Sequence, residues 1–339
     1  MYVNKKYPIR SLFSYASNYI VLFTLWSVVV VLLYEYVGWK YIAVPFLPVS
    51  LIGTALSFYL GFKNNASYDR LWEARKNWGA IVNDSRAWAF MLNTYLKKPL
   101  NATFGSEEIQ AIKADLVHRH IAWLYAHKFY LRHKRQDWEH TKELNERFRQ
   151  QYQAEFGIST DLSQDLAKYL QADEIQAVLK KANPAAGLLN NQGQQLAIIR
   201  ELAIIDDFRL FELQNHLNKL LEHQGKNERL KNFPYPLQYS MMLHLSLRIF
   251  CFLLPLGMLG ELSKSSELLV WLTVPFSVII SLIFYFMEIN SDYSEIPFEG
   301  LVYDVPITSI TRSIEIDMLQ AIGITNTPSP ITAKDGVLM

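Results

Sequence analysis

The sequence predicts an all-α membrane protein with four transmembrane helices that extend into a helical cytoplasmic region, and three observations carry that prediction. Two long uncharged runs stand near the N-terminus and two long apolar runs near the C-terminus, and roughly 20 such residues in a helix span a hydrocarbon core. The segment between the pairs repeats its apolar residues near a 3.6 period and shows few strand signals. The second run passes into polar sequence without a helix stop. Of the 339 residues, half are hydrophobic, 14% aromatic and 19% charged. That composition admits either two soluble domains or one membrane domain with soluble parts, so the apolar runs decide the class.

The first run, ASNYIVLFTLWSVVVVLLY (Ala16 to Tyr34), has no charged side chain. Lys5, Lys6 and Arg10 precede it as in a signal peptide. The run is too long for an ordinary signal core, and Tyr34, Glu35 and Tyr36 follow where cleavage needs small residues, so an uncleaved span is expected. The second, YIAVPFLPVSLIGTALSFYLGF (Tyr41 to Phe62), is also uncharged. It continues as KNNASYDRLWEARKNWG, which predicts one helix running on into the cytoplasm. The third, Leu237 to Gly260, carries His244 and Arg248. Four residues apart, these share a helix face, which in a membrane belongs against protein or a water-filled vestibule. The fourth is Leu268 to Met287.

Four spans place both termini on one side of the membrane. Lys5, Lys6, Arg10, Lys63, Arg70, Arg75 and Lys76 crowd that side, against Lys40 and Lys264 in the short connections, so it is the cytoplasm. The expected organisation is residues 1–62 with the first two spans, a helical cytoplasmic region 63–236, spans three and four within 237–288, and a cytoplasmic tail 289–339 that is mobile from about Asn326. In the central region, helices are expected over Glu107 to His140, Asp165 to Ala182 and Gln192 to Ala203, with Asn183-Pro184 ending the second. Asp206 and Asp207 signal the start of another over Phe208 to His223, because carboxylates at a helix start satisfy free amides.

Within the second span, Thr54, Phe58 and Phe62 stack on one helix face, with Ser57 and Gly61 as small neighbours that permit close packing. An apolar stripe of this kind is ordinary core packing or the lining of a narrow constriction. His118, His120, His127, His133 and His140 raise the question of a metal, but His120 and His127, the two that could share a face, have no Asp or Glu at ligand spacing, and no H-E-x-x-H occurs. A basic, aromatic, amphipathic helix is the better reading, with no metal and no cofactor. The sequence holds no phosphate-binding, dinucleotide-binding or G-x-S-x-G signature, so an enzyme is not expected. A net charge of +1 with no basic block argues against nucleic acid as a partner. The single cysteine, Cys251, lies in an apolar run and cannot form an intrachain disulfide.

Four stretches, LSFYLGFKNNASYDRLWEARKNWGAIVNDSR, RHIAWLYAHKF, LKNFPYPLQYSMMLHLSLRIFCFLLPLGM and EIPFEGLVYDVPITSITRSIEID, resemble the bacterial branch of the bestrophin ion channels. The resemblance runs from the N-terminus to about residue 323 and is loose between about Asn101 and Asn190. It implies a homopentamer in the bacterial inner membrane around one central pore lined by the second helix. The hydrophobic neck of the family falls on Thr54, Phe58 and Phe62, with Thr54 in place of the usual apolar residue. Its cytoplasmic aperture falls on Phe208. Animal members bind calcium through an acidic run after the fourth span; here Pro297-Phe298 is followed by Glu299, Gly300, Leu301, Val302, Tyr303 and Asp304, so no calcium clasp is expected. The resemblance implies passive flow of small monovalent ions, chloride or another anion. A sodium-type cation channel of the same fold, or a non-conducting membrane-anchored interaction protein, are the alternatives the sequence leaves open.

Overall fold

The structure, a computed structural model, describes residues 1–3, 9–97, 105–133, 143–233, 235–264 and 266–339. In chain order the helices are α1 (Ile9–Glu35), α2 (Phe46–Tyr95), α3 (Ser106–Arg132), α4 (Glu143–Glu155), α5 (Leu162–Leu166), α6 (Ala172–Leu179), α7 (Pro184–Glu201), α8 (Asp207–Asn232), α9 (Leu237–Leu262), α10 (Thr273–Glu295) and α11 (Ile307–Ala321). Among the described residues, β-structure is confined to isolated bridges. The chain forms two compact units. One comprises Asn4–Arg70 and Pro234–Ile296, the other Met1–Val3, Leu71–Phe233 and Pro297–Met339.

The first unit holds the apolar helices. Ser17–Glu35, Gln238–Leu262, Leu269–Glu295 and the apolar part of α2 are long and apolar enough to cross a membrane. Two of these helices begin later than the sequence suggested. A 3-10 turn at Lys40–Ile42 precedes α2, and another at Glu267–Leu272 precedes α10. Proline favours both late starts: Pro45 disfavours helix at Val44, and Pro275 lacks an amide and crowds the carbonyl four residues back, which disfavours a regular helical turn before it. Within the unit α9 packs on α10 and α1, and Gly53 of α2 admits the Phe250 ring so closely that an added Cβ would lie 2.8 Å from it. The outward side chains include Leu22, Leu25, Met241, Leu245 and Phe252, an apolar surface suited to lipid and not to water.

The second unit is built around α3, which packs on α5, α7, α8 and α11. Trp78, Trp88 and Trp123 are completely buried. His127 lies between Trp78 and Trp123, at centroid distances of 5.8 and 6.0 Å, while Trp88 stacks on His120 and His216. The histidines of α3 therefore correct the expected basic face: His120, His127, Lys128 and Arg132 are all buried. His120 meets Ser85 at 2.9 Å and His127 meets Asn227 at 3.0 Å, both neutral partners. Burial pushes both imidazoles down to about 3, which fixes them as uncharged core residues. His118 is half-buried, His133 is exposed, and His140 lies outside the described residues.

Three further expectations are corrected. The helix expected over Asp165 to Ala182 is two short helices, α5 and α6, because Asp161 caps the first and extended backbone at Gln171 starts the second. Asn183-Pro184 does not end a helix; it begins α7, with Asn183 accepting from the Ala186 amide and Pro184 in the first turn, where its missing N–H costs nothing. The segment after Asn326 is held in place: Tyr2 bridges Val337, the Val3 amide donates to Gly336, and Val337 and Met339 are buried.

Candidate pore-lining site

Helix α2 in the membrane unit has two faces with opposite fates. Gly53, Leu56, Leu60, Lys63 and Ser67 recur at helical spacing and are buried, whereas Leu51, Thr54, Phe58 and Phe62 are exposed. Phe58 is 68% exposed and Phe62 70%. These two bulky aromatics are held outward one turn apart, with most of their surface uncovered by the described residues. Thr54 stands one turn before Phe58, and its hydroxyl donates to the Ser50 carbonyl at 2.9 Å. That bond turns the polar group back onto its own helix, so the hydroxyl is satisfied without an outside partner. Ser57 and Ser50 do the same, donating to Gly53 at 2.8 Å and Leu47 at 2.8 Å.

The buried face of α2 carries an ionic network that no local pattern in the sequence announces. Lys63 follows Phe62, yet its side chain is 1% exposed; its Nζ lies 2.6 Å from Asp292 and 3.8 Å from Glu295 on α10. A buried ammonium persists only with such partners. Asn64 donates to the Leu60 and Met287 carbonyls, Ser67 meets Ser291 at 3.1 Å, and Arg70 Nε donates to the Glu295 carbonyl at 2.7 Å. His244 pairs with Glu288 and stands 4.0 Å from Asp292. His244 is thus an interhelix contact. Arg248 is exposed and has no ion pair among the described residues. A fourth span taken to end at Met287 leaves out the acidic stripe: Glu288, Asp292 and Glu295 are spaced by four and three, which puts them on one helix face.

Phe208, in the other unit, is positioned by a different device. Helix α7 ends with Ala203 in the left-handed region at φ 57°, its amide donating to Arg200 and the Ile204 amide to Ile199. This is the Schellman pattern, with alanine where glycine is usual and buried Ile199 and Ile204 able to make its hydrophobic contact. Asp206 then caps α8 by accepting from the Arg209 amide at 2.9 Å. Phe208 emerges on the first turn, 87% exposed. Arg200 clasps Asp207 at 2.6 and 3.2 Å, which holds that carboxyl below the usual carboxylate range.

The segment after the fourth span is closed around its own charges. Asp304 accepts from the amides of Phe298, Gly300 and Val305 at 2.8, 2.7 and 2.6 Å and from Arg132 at 2.8 Å. Glu299 pairs with Arg149 and with Lys231, the latter at 2.5 Å. Among the described residues no cluster of three or more His, Cys, Asp or Glu is placed to hold a metal ion.

With these features in place, comparison with known proteins is decisive for family. Residues 12–320 match the model of the bacterial and fungal bestrophin proteins. The chain belongs to that family. Among its relatives, the voltage-dependent anion channel-forming protein YneE of Escherichia coli (strain K12) is 29% identical over 313 residues, covering 91% of this chain and 88% of that protein. The voltage-dependent anion channel-forming protein RSc3414 of Ralstonia nicotianae is 28% identical over 304 residues, covering 89% and 86%. A crystal structure of a bacterial bestrophin homologue from Klebsiella pneumoniae superposes with a TM-score of 0.73 at 25% identity, covering 90% of this chain and 97% of that one.

Proposed function

We propose that the chain is the subunit of a homopentameric ion channel of the bacterial inner membrane, with both termini in the cytoplasm. Thr54, Phe58 and Phe62 each form a ring of five that closes the pore, and Phe208 forms a further ring at the cytoplasmic aperture. The permeant species are small monovalent anions such as chloride. The observation that carries this reading is the outward pair Phe58 and Phe62 on a helix whose opposite face is fully packed. Such side chains face lipid or copies of themselves, and in a five-fold assembly they meet each other. A ring of aromatic side chains gates by dewetting and partial dehydration and separates ions only weakly by chemistry. The names of the relatives as anion channel-forming proteins support the sign of the ion.

The channel works without a calcium clasp. In support, every carboxylate oxygen of Asp304 is taken by an amide or by Arg132, and Glu299 is neutralised by Arg149 and Lys231, so protein cations occupy the surroundings where calcium binding would need free oxygen ligands. The test is reconstitution of the purified protein in planar bilayers under asymmetric NaCl. A current reversing toward the chloride equilibrium potential is expected. Reversal toward the sodium potential would make it a cation channel of the same fold, and silent bilayers would favour a membrane-anchored interaction protein.

A further inference from the structure

We infer that Asp69 is a specificity-determining residue of the pore, a ring of carboxylates below the neck that draws cations toward it and holds back anions. The inference rests on the reading of α2 as the lining helix and deepens it. In the membrane unit, α2 sorts its charged side chains by face. Lys63 is buried against Asp292 and Glu295, and Arg70 reaches the Glu295 carbonyl, so both cations nearest Phe62 in sequence are turned into the subunit. Asp69 is exposed and makes no hydrogen bond or ion pair among the described residues. It follows Phe62 by seven residues, close to two full turns at about 3.6 residues per turn, and so lies on the same face as Phe62 and roughly 10 Å along the helix. Leu47, Leu51, Thr54, Phe58, Phe62 and Asn65 complete that exposed stripe, none of them ionisable.

An apolar neck does not choose the sign of an ion, whereas a ring of like charges beside it does. Asp69 is the fixed charge that α2 places on the lining face in this unit. Its field reaches Phe62 when the screening length matches their separation, about 10 Å at 0.1 M salt, and fails to reach it at 1 M, where that length is about 3 Å. Whatever preference for anions the channel has is therefore set against Asp69.

The experiment is bilayer recording of the wild-type channel and the variants Asp69→Asn, Asp69→Lys and Asp69→Glu under asymmetric KCl. At low salt, Asp69→Asn is expected to raise the chloride-to-potassium permeability ratio several-fold and Asp69→Lys to raise it further, while Asp69→Glu keeps the wild-type reversal potential. At high salt the four converge. One common reversal potential for all four at low salt would overturn the inference while leaving the channel intact. Absence of current from the wild type would instead overturn the pore reading on which it rests. Among the described residues Asp69 has no partner for the variants to lose. If Asp69→Asn fails to assemble, the difference in reversal potential between Asp69→Lys and Asp69→Glu decides the matter in the same way.

Discussion

The two units obey one rule about charge and opposite rules about apolar surface. In the helical unit, large apolar side chains point inward: Trp78, Trp88 and Trp123 are completely buried, with histidines kept neutral between them. In the membrane unit, Leu22, Leu25, Phe58, Phe62, Leu245 and Phe252 point outward. Buried charge is nevertheless handled alike in both. Arg132 is matched to Asp304 in one and Lys63 to Asp292 in the other. The difference shows that the surroundings are part of each unit's design. An outward Phe is a defect in water, a neutral event in lipid and, on the proposed pore reading, a gate where copies of the subunit converge.

The largest expected effect is on the charge rule. Arg132→Ala leaves Asp304 buried without its cation and should cost about 3–5 kcal/mol, read as a drop in the unfolding temperature of the detergent-solubilised protein. A loss below about 1 kcal/mol would mean that the three amides alone satisfy Asp304. Next comes pH. His120 and His127 have folded values near 3, below their ordinary 6.5, so the unfolded chain takes up protons first on acidification. Their contribution is complete above about pH 6.5 and is lost as pH falls toward 3, by about 2 kcal/mol for each histidine at pH 5. Tryptophan fluorescence during acid titration follows it, since Trp78 and Trp123 stack on His127. Replacing both histidines by Gln should flatten that profile.

A smaller effect is expected at the turn before Phe208. Ala203→Gly should stabilise by roughly 1 kcal/mol, because alanine bears a steric cost in the left-handed region that glycine does not. A destabilised Ala203→Gly protein would show that Cβ contacts outweigh backbone strain there. The smallest effect is that of chelation: removing calcium should leave both unfolding temperature and conductance unchanged, and a reversible loss of current would contradict the closed arrangement around Asp304.

How much of the molecule is legible in its sequence follows from the range of each determinant. The four spans, the unbroken α2 and the Thr54, Phe58, Phe62 stripe are readable because length, hydropathy and period are local properties. The ends of α5, α6 and α7 are not, because caps by Asp161 and Asn183 compete with helix propensity and only geometry shows which wins. The Lys63 network depends on Asp292, more than two hundred positions away in the chain, and nothing around Lys63 foretells it. The exposure of Phe208 is not a local property, since it depends on the Ala203 turn, and only the family resemblance points to it. Asp69 lies within the polar continuation of the second span, but its weight becomes visible only once Lys63 and Arg70 are seen to turn inward.

The central claim is that Phe58 and Phe62 close the pore. Single-channel recording of the wild type beside the Phe58→Ala and Phe62→Ala double variant, in the same bilayers and salt, tests it most directly. The variant should show a higher open probability with little change in unfolding temperature, because both side chains are largely exposed in the subunit. Equal open probability in wild type and variant would contradict the account and place the gate elsewhere.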